Sequence, residues 1–409
     1  MAPPRTPFDA VLHAARDVPR LDRALDAELL GTTLLGSVYA VADDNRAEAV
    51  REFVGGFLTA TARRRTTAAL TIRNVFARLV PAATGAGRVR PGTRAPAWVH
   101  QLGRVRLTGC YAYGDVYGDQ TSYLATFAYL EPESGGPEHA VVALVDHNIG
   151  IVKDVFVSGP AGQILAEIRK VSTADPLTWF RTEDPGRLRG EVERHLRVTD
   201  RLGTLPAEGS LATDRTLAGA RLALLPAGDA GTTTERAPRP PTTAERNALV
   251  AAFLDSPEAV RYGLDRTSEV DLASLHFCLS LLLDHSASFP DNDPLRWSPA
   301  VAGLFLLDWV HRRAVLDVDD AAILPRVIRA WAGYAGTRRG LPVAAIRQTD
   351  SAIEEMIPEF VRLYTTGERR SPATAAVARL LADGIDLNDP VALETWFAAN
   401  RERFDDEPA

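Results

Sequence analysis

Between Cys110 and Val157 the chain carries Asp115, Asp119, Asp146, His147 and Asp154, side chains able to bind a cation or exchange a proton. Grouped carboxylates and an imidazole can hold a divalent metal that activates water, but only if the fold brings them into one coordination sphere. The surrounding residues alternate apolar and polar, which is the period of a strand, and successive side chains of a strand point to opposite faces. Lys153 and Asp154 are adjacent and so are divided between two faces. If the last hairpin turns at His147-Asn148, Asp154 pairs near Val141, separated from Asp146 by about 5 residues or roughly 16 Å. Asp115 stands about 4 residues, roughly 13 Å, from Asp119, which reads as a turn former. The grouping left is a composite of Asp115, Asp146 and His147 at one sheet end, and these are the candidate catalytic residues.

Other sets lie in helical sequence. Asp308 and His311 are spaced i, i+3, which aims both at one ion in a bundle, so they are the candidate metal ligands. No cofactor is expected otherwise. On the helix expected over residues 268–285, His276 shares a stripe with Leu272, Leu275, Leu279 and Leu283, whereas His285 goes with Asp271, Ser274, Cys278 and Leu281. The two imidazoles therefore face different ways, one as a core residue and the other as a helix-end residue. No Gly-x-Ser-x-Gly elbow, Walker loop, His-Glu-x-x-His or EF-hand pattern occurs, and Gly85-Ala86-Gly87 has no preceding strand to make it a nucleotide loop. The two cysteines, Cys110 and Cys278, cannot form a disulfide framework or a four-thiolate zinc site, and both read as buried thiols.

Charge is the most uneven property of the chain. Its 409 residues carry a net charge of -7, yet no acid falls between Glu52 and Asp115, where ten arginines do. The other 36 basic residues face all 53 acids, so the rest of the chain carries -17. Codon usage accounts for Arg over Lys, since Lys153 and Lys170 are the only lysines, but not for the missing acids. Guanidinium groups favour phosphate and carboxylate through their planar, bidentate donors. The candidate anion-binding residues are Arg63, Arg64, Arg65, Arg73, Arg78, Arg88, Arg90 and Arg94.

These residues must be positioned by an α+β fold. Val50, Phe53, Val54, Phe57 and Leu58, then Ile72, Val75, Phe76 and Leu79, mark two amphipathic helices joined through "TARRRTT". Without a tight Gly-containing turn the pair reads as a helical hairpin rather than a DNA-reading helix-turn-helix. Runs at 104–117, 120–131, 139–146 and 149–157 predict a four-stranded antiparallel meander, with Tyr111, Tyr113, Tyr117, Tyr123, Phe127 and Tyr129 on one face, followed by a helix at "AGQILAEIRKV" that packs on the sheet. Residues 175–202 read as helical. Domain boundaries are expected at 1–205 for the hairpin and sheet, 206–241 for a linker rich in Gly, Thr and Pro, and 242–409 for an all-helical bundle of six or seven helices. Thr242 with Glu245, Ser298-Pro299, Ser371-Pro372 and Asp389-Pro390 open helices, and Gly384 closes one.

The stretches "WSPAVAGLFLLDWVHRR" at 297–313 and "AWAGYAGTRRGLP" at 330–342 resemble a conserved uncharacterised family of actinobacterial proteins. The similarity extends to "ELLGTTLL" at 28–35 and implies no particular activity. No run of apolar residues is long enough for a bilayer and no signal peptide is evident, so a cytoplasmic protein without membrane partners is expected. The leading expectation is a non-catalytic binding or regulatory protein that presents its acid-free region to nucleic acid or an acidic protein surface. One alternative is a metal-dependent hydrolase or nuclease using Asp115, Asp146, His147 and Asp154 with Lys153. The other is a scaffold or homo-oligomer in which the basic half of one copy docks on the acidic half of the next.

Overall fold

The computed structural model describes residues 6–84, 95–206, 208–227, 239–265, 269–386 and 389–405, in two compact units, Met1–Arg236 and Ala237–Ala409. Arg88, Arg90 and Arg94, with the Gly85-Ala86-Gly87 run, lie outside the described residues.

The first unit opens with helices α1 (Pro7–Ala14), α2 (Ala24–Val41), α3 (Arg46–Ala60) and α4 (Thr67–Leu79). The two apolar stripes of the sequence are the buried faces of α3 and α4, where Phe57 meets Phe76 edge-on at 5.1 Å between ring centroids. Thr66 caps α4 by accepting from the Ala69 amide at 3.3 Å. The sheet follows: β1 (Val105–Asp115), β2 (Gln120–Tyr129), a short helix α5 (Pro132–Gly135), β3 (His139–Asp146), β4 (Ile151–Ser158), helix α6 (Ala161–Ala174) and β5 (Thr178–Thr182). All neighbours are antiparallel in the order β4-β3-β2-β1-β5. Helices α7 (Pro185–Thr199) and α8 (Leu211–Leu222) complete the unit.

Four of the strands are those expected; the fifth corrects the reading of 175–202 as helix. β5 is only five residues long and adds to the outer edge of β1. Trp179 holds it there by donating its indole N–H to the Asp115 carbonyl at 2.8 Å. The ring lies over Gly114, where a Cβ would come within 2.6 Å of it. The helical signal in that stretch belongs to α7 alone. The stretch expected to be linker likewise begins with α8, whose Leu211, Leu217, Ala218 and Leu222 join the main core.

Register also overturns the single aromatic face. Ala112 lies opposite Tyr123 and Tyr111 opposite Leu124, so Tyr123, Phe127 and Tyr129 enter the main core. Tyr111 and Tyr113 are on the other face, with Leu124, Ala140 and Val142, covered by Ala161, Ile164, Leu165 and Ile168 of α6. With both faces packed against helices, no row of aromatics is left as a stacking platform. The outer edge of β4 is closed by side chains: the Val152 amide donates to Thr199 Oγ1 at 2.9 Å and the Val157 amide to Asp214 Oδ2 at 2.8 Å.

The second unit contains, among the described residues, nine α-helices rather than six or seven: α9 (Thr243–Leu254), α10 (Pro257–Arg261), α11 (Glu269–Ser286), α12 (Pro299–Leu304), α13 (Val310–Arg313), α14 (Val318–Arg338), α15 (Val343–Thr366), α16 (Pro372–Ala382) and α17 (Pro390–Asp405). A π-helical turn, Phe305–Trp309, joins α12 to α13. The predicted caps form. Thr242 and Glu245 make a reciprocal capping box, Ser298 and Ser371 accept from the third amide of their helices, Asp389 accepts from the Val391 and Ala392 amides, and Gly384 follows α16 in the left-handed region at φ 70°. Trp297, Trp331, Phe253, Phe305 and Phe360 fill the core. No described helix is long and apolar enough to cross a membrane.

Candidate functional site

The antiparallel order does bring Asp115, Asp146 and His147 to one end of the sheet, because β1 and β3 both end there and β2 begins between them. Their carboxylates are nonetheless turned onto backbone. Asp115 Oδ1 accepts from the amides of Gly118 at 2.7 Å and Asp119 at 3.0 Å, and Oδ2 accepts from Gln120 at 2.8 Å. The loop therefore folds back over Asp115, which lies against the Asp119 backbone rather than some four strand residues away. Asp146 Oδ1 accepts from the amide of Asn148 at 3.0 Å and Oδ2 from Gln120 Nε2 at 3.2 Å. Carboxylates whose oxygens already receive turn amides act as caps.

Asp154 sits elsewhere again. The β3–β4 connection spans residues 147–150 and a bulge falls at Leu144/Val145, so Asp154 lies opposite Leu144, not Val141. Its Oδ1 accepts from the Ser210 amide at 2.7 Å and ties β4 to the start of α8.

His147 has company that the sequence did not advertise. Its Nε2 lies 3.0 Å from Thr121 Oγ1, and its ring meets that of His195 edge-on at 5.5 Å. His195 is buried on α7, where its Nδ1 hydrogen-bonds the Glu191 carbonyl at 2.8 Å and burial lowers its pKa below the ordinary imidazole value. Burial, then the charges of Glu191 and Glu183, pushes the nearby Tyr123 phenol up to about 12. Among the described residues no three His, Cys, Asp or Glu side chains converge as a metal site would require.

Asp308 and His311 are not brought onto one ion. Asp308 receives Arg312 Nε at 2.7 Å and faces solvent, while His311 is buried, with Nε2 2.9 Å from the Leu306 carbonyl and its ring beside Phe360. The π turn widens the helix between them. On α11 the expected histidine roles are exchanged. His276 is exposed and His285 is buried, because α11 packs its Ser274, Cys278, Leu281 and Leu282 side inward as well as Leu275, Leu279 and Leu283. The His285 ring lies 4.9 Å from Phe289, 5.2 Å from Phe305 and 5.3 Å from Trp309 between centroids, and neither ring nitrogen has a hydrogen-bond partner. The Val301 backbone lies close without hydrogen-bonding geometry. Both thiols are buried, and burial raises Cys110 to about 11 and Cys278 to about 12, which removes thiolate chemistry at neutral pH.

The first unit holds a second polar cluster, sealed in its core and missed in the sequence. Tyr129 donates to Glu28 Oε2 at 2.6 Å, and Arg221 donates to Glu28, to the Tyr129 hydroxyl at 2.9 Å and, through Nε, to His139 Nε2 at 3.1 Å. The Gly103 amide donates to Glu28 Oε1 at 2.7 Å, and His139 Nδ1 lies 3.2 Å from the Pro137 carbonyl. Because Arg221 donates to Nε2, the imidazole carries its single proton on Nδ1.

The arginine region is arranged differently. Arg63, Arg64 and Arg65 are exposed in the connection between α3 and α4, and only Arg64 approaches an acid, at 3.6 Å from Asp9. Arg73 is half-buried on α4, and its Nε has neither solvent exposure nor an acceptor. Burial, then the like charge of Arg65, lowers the Arg73 pKa below its usual value. Arg78 is exposed and packs its Cδ beside Gly103, next to exposed Arg104. Among the described residues no carboxylate forms an ion pair with Arg63, Arg65, Arg73, Arg78, Arg104 or Arg106. Comparisons with protein-family models, with curated proteins and with solved structures return no match.

Proposed function

We propose that the first unit is a non-catalytic binding or regulatory module that engages an anionic partner, nucleic acid or an acidic protein surface, through the arginines around α4. The observation that carries this reading is a contrast in pairing. Elsewhere many of the described arginines find carboxylates close by: Arg189 pairs with Glu193 at 2.8 Å, Arg215 with Asp200 at 2.7 Å, Arg329 with Asp350 at 2.7 Å and Arg362 with Glu359 at 2.7 Å. Of the seven described arginines in the acid-free stretch, Arg63, Arg64, Arg65, Arg73, Arg78, Arg104 and Arg106, six have none, and the like charge of Arg65 acts on Arg73. Uncompensated like charges weaken a fold unless an anion from outside offsets them. The saturated turn carboxylates at the sheet end weigh against the hydrolase alternative. Kinship of residues 297–342 with a conserved actinobacterial family is also a proposal and adds no activity to this one.

The test is fluorescence anisotropy with labelled single- and double-stranded DNA and RNA across a salt series, beside a variant carrying Arg63→Ala, Arg64→Ala and Arg65→Ala. A nucleic-acid partner gives binding that falls steeply with salt, with a log–log slope shallower by about 2 to 3 in the variant. Absence of binding at low salt excludes nucleic acid. An oligomer that dissociates with salt in sedimentation then identifies a second copy as the partner.

A further inference from the structure

The two edges of the sheet are unlike. Opposite the closed side of β4 the edge is β5, and among the described residues no strand pairs with its outer side. β1 sets its backbone. The Glu183 amide donates to the Cys110 carbonyl and the Val116 amide to the Leu177 carbonyl, both at 2.9 Å, so Trp179 and Arg181 turn their amides and carbonyls toward Gly114 and Ala112. By the same alternation Phe180 and Thr182 turn theirs outward. Each face of this edge carries an arginine laid on aromatic rings. On one face the exposed Arg169 of α6 has its guanidinium carbon 5.4 Å from the Phe180 ring and 5.8 Å from that of Tyr111, two rings stacked at 5.5 Å, and no described carboxylate pairs with it. On the other, Arg181 lies 4.5 Å over Trp179 and reaches Glu183 at 3.0 Å, a carboxylate that Arg187 also approaches at 4.0 Å. Asp175 and Asp184 stand beyond the two ends of the strand, where they accept the Leu177 and Arg187 amides. Stacking on rings steadies a guanidinium plane and leaves its edge donors available. We infer that the outer edge of β5 takes an extended acidic segment of a partner protein as a sixth strand of the sheet. The outward groups of Phe180 and Thr182 supply its main-chain hydrogen bonds. Neighbouring side chains of a strand point to opposite faces, so two consecutive acids meet Arg169 and Arg181, one on each face. Arg187 keeps Glu183 paired when Arg181 turns to the incoming carboxylate. This surface is separate from the arginines around α4 and does not depend on them.

Hydrogen exchange of the backbone amides of the full-length protein, followed by NMR, provides the readout. The probe is a short peptide of alternating threonine and valine around two adjacent glutamates, beside one with lysines in place of the glutamates and one with its backbone amides N-methylated. Saturating acidic peptide should slow exchange at Phe180 and Thr182 by about tenfold or more and leave Trp179 and Arg181, already bonded to β1, unchanged, while the two control peptides do neither. Thr182→Pro removes one outward amide without touching a bond to β1, and should weaken binding by about tenfold. Arg169→Gln should weaken it by about threefold. Unchanged exchange at Phe180 and Thr182 overturns the site, as does binding that is lost instead in the Arg63→Ala, Arg64→Ala, Arg65→Ala variant. Protection of the same two amides that grows with protein concentration in the absence of peptide places a second copy at the edge and overturns the acidic partner.

Discussion

Two histidines are buried to the same degree in different units, and their surroundings have almost nothing in common. His139 is held in a polar cluster in which Arg221, Glu28, Tyr129 and the Gly103 amide satisfy one another. His285 lies among the rings of Phe289, Trp297, Phe305 and Trp309 with both nitrogens unpartnered. Burial holds the pKa of each down to about 4, assisted at His139 by the charge of Arg221. The same direction of shift therefore arises once in a network that uses the imidazole as an acceptor and once in a cage that uses it only as a flat ring. The first kind of burial ties distant elements together; the second tolerates the residue.

Breaking the network at its only cation should have the largest consequence. Arg221→Ala leaves Glu28 charged and without its counterion in the core, and should lower the stability of the first unit by about 3–5 kcal/mol in urea denaturation. A loss under 1 kcal/mol would mean that the cluster is not the tie described. Acid comes next. Each imidazole is neutral in the folded chain and has an ordinary value near 6.5 once unfolded. The stability that each contributes is complete above about pH 6.5 and is lost as pH falls toward about 4, by up to about 3 kcal/mol per histidine. Denaturation midpoints between pH 7 and 4.5 measure it, and a flat profile would contradict both assignments.

Smaller and opposite effects distinguish the two histidines. His139→Phe orphans Arg221 Nε and should cost about 1–3 kcal/mol, whereas His285→Phe removes two unsatisfied nitrogens and should be neutral or stabilising by about 1 kcal/mol. Destabilisation by His285→Phe beyond about 1 kcal/mol would show that its nitrogens have a use. On the acid profile of the second unit, His285→Phe should remove that residue's share of the loss below pH 6.5, up to about 3 kcal/mol near pH 4. Comparing denaturation of this variant with the parent across the same pH range measures the difference.

What could be read in advance was whatever repeats locally. The stripes of α3 and α4, the alternation of the first four strands and the cap residues of the bundle each announce themselves within a few residues. β5 does not, because five residues with Trp179 and Phe180 become a strand only by finding the free edge of β1 and the gap at Gly114. Glu28 and Arg221 stand 193 positions apart, and each looks like an ordinary helix-surface residue until α2 and α8 are packed together. The sheet-end candidates do share one end of the sheet, and their carboxylates there accept turn amides. Whether Asp115 serves as a ligand or a cap depends on where the Gly118, Asp119 and Gln120 amides point, a matter of loop conformation that residue type leaves open. On α11 the wrong histidine was assigned to the core because the helix is buried over more than one stripe.

The closed outer edge of β4 limits how these sheets can associate. With the Val152 and Val157 amides already satisfied by Thr199 and Asp214, a foreign strand gains no hydrogen bonds from those two groups, and β5 forms the sheet's other edge. Strand addition at the β4 edge would first require Thr199 of α7 and Asp214 of α8 to release these amides. Aggregation through that edge is thus made contingent on local unfolding of those helices rather than on encounter alone.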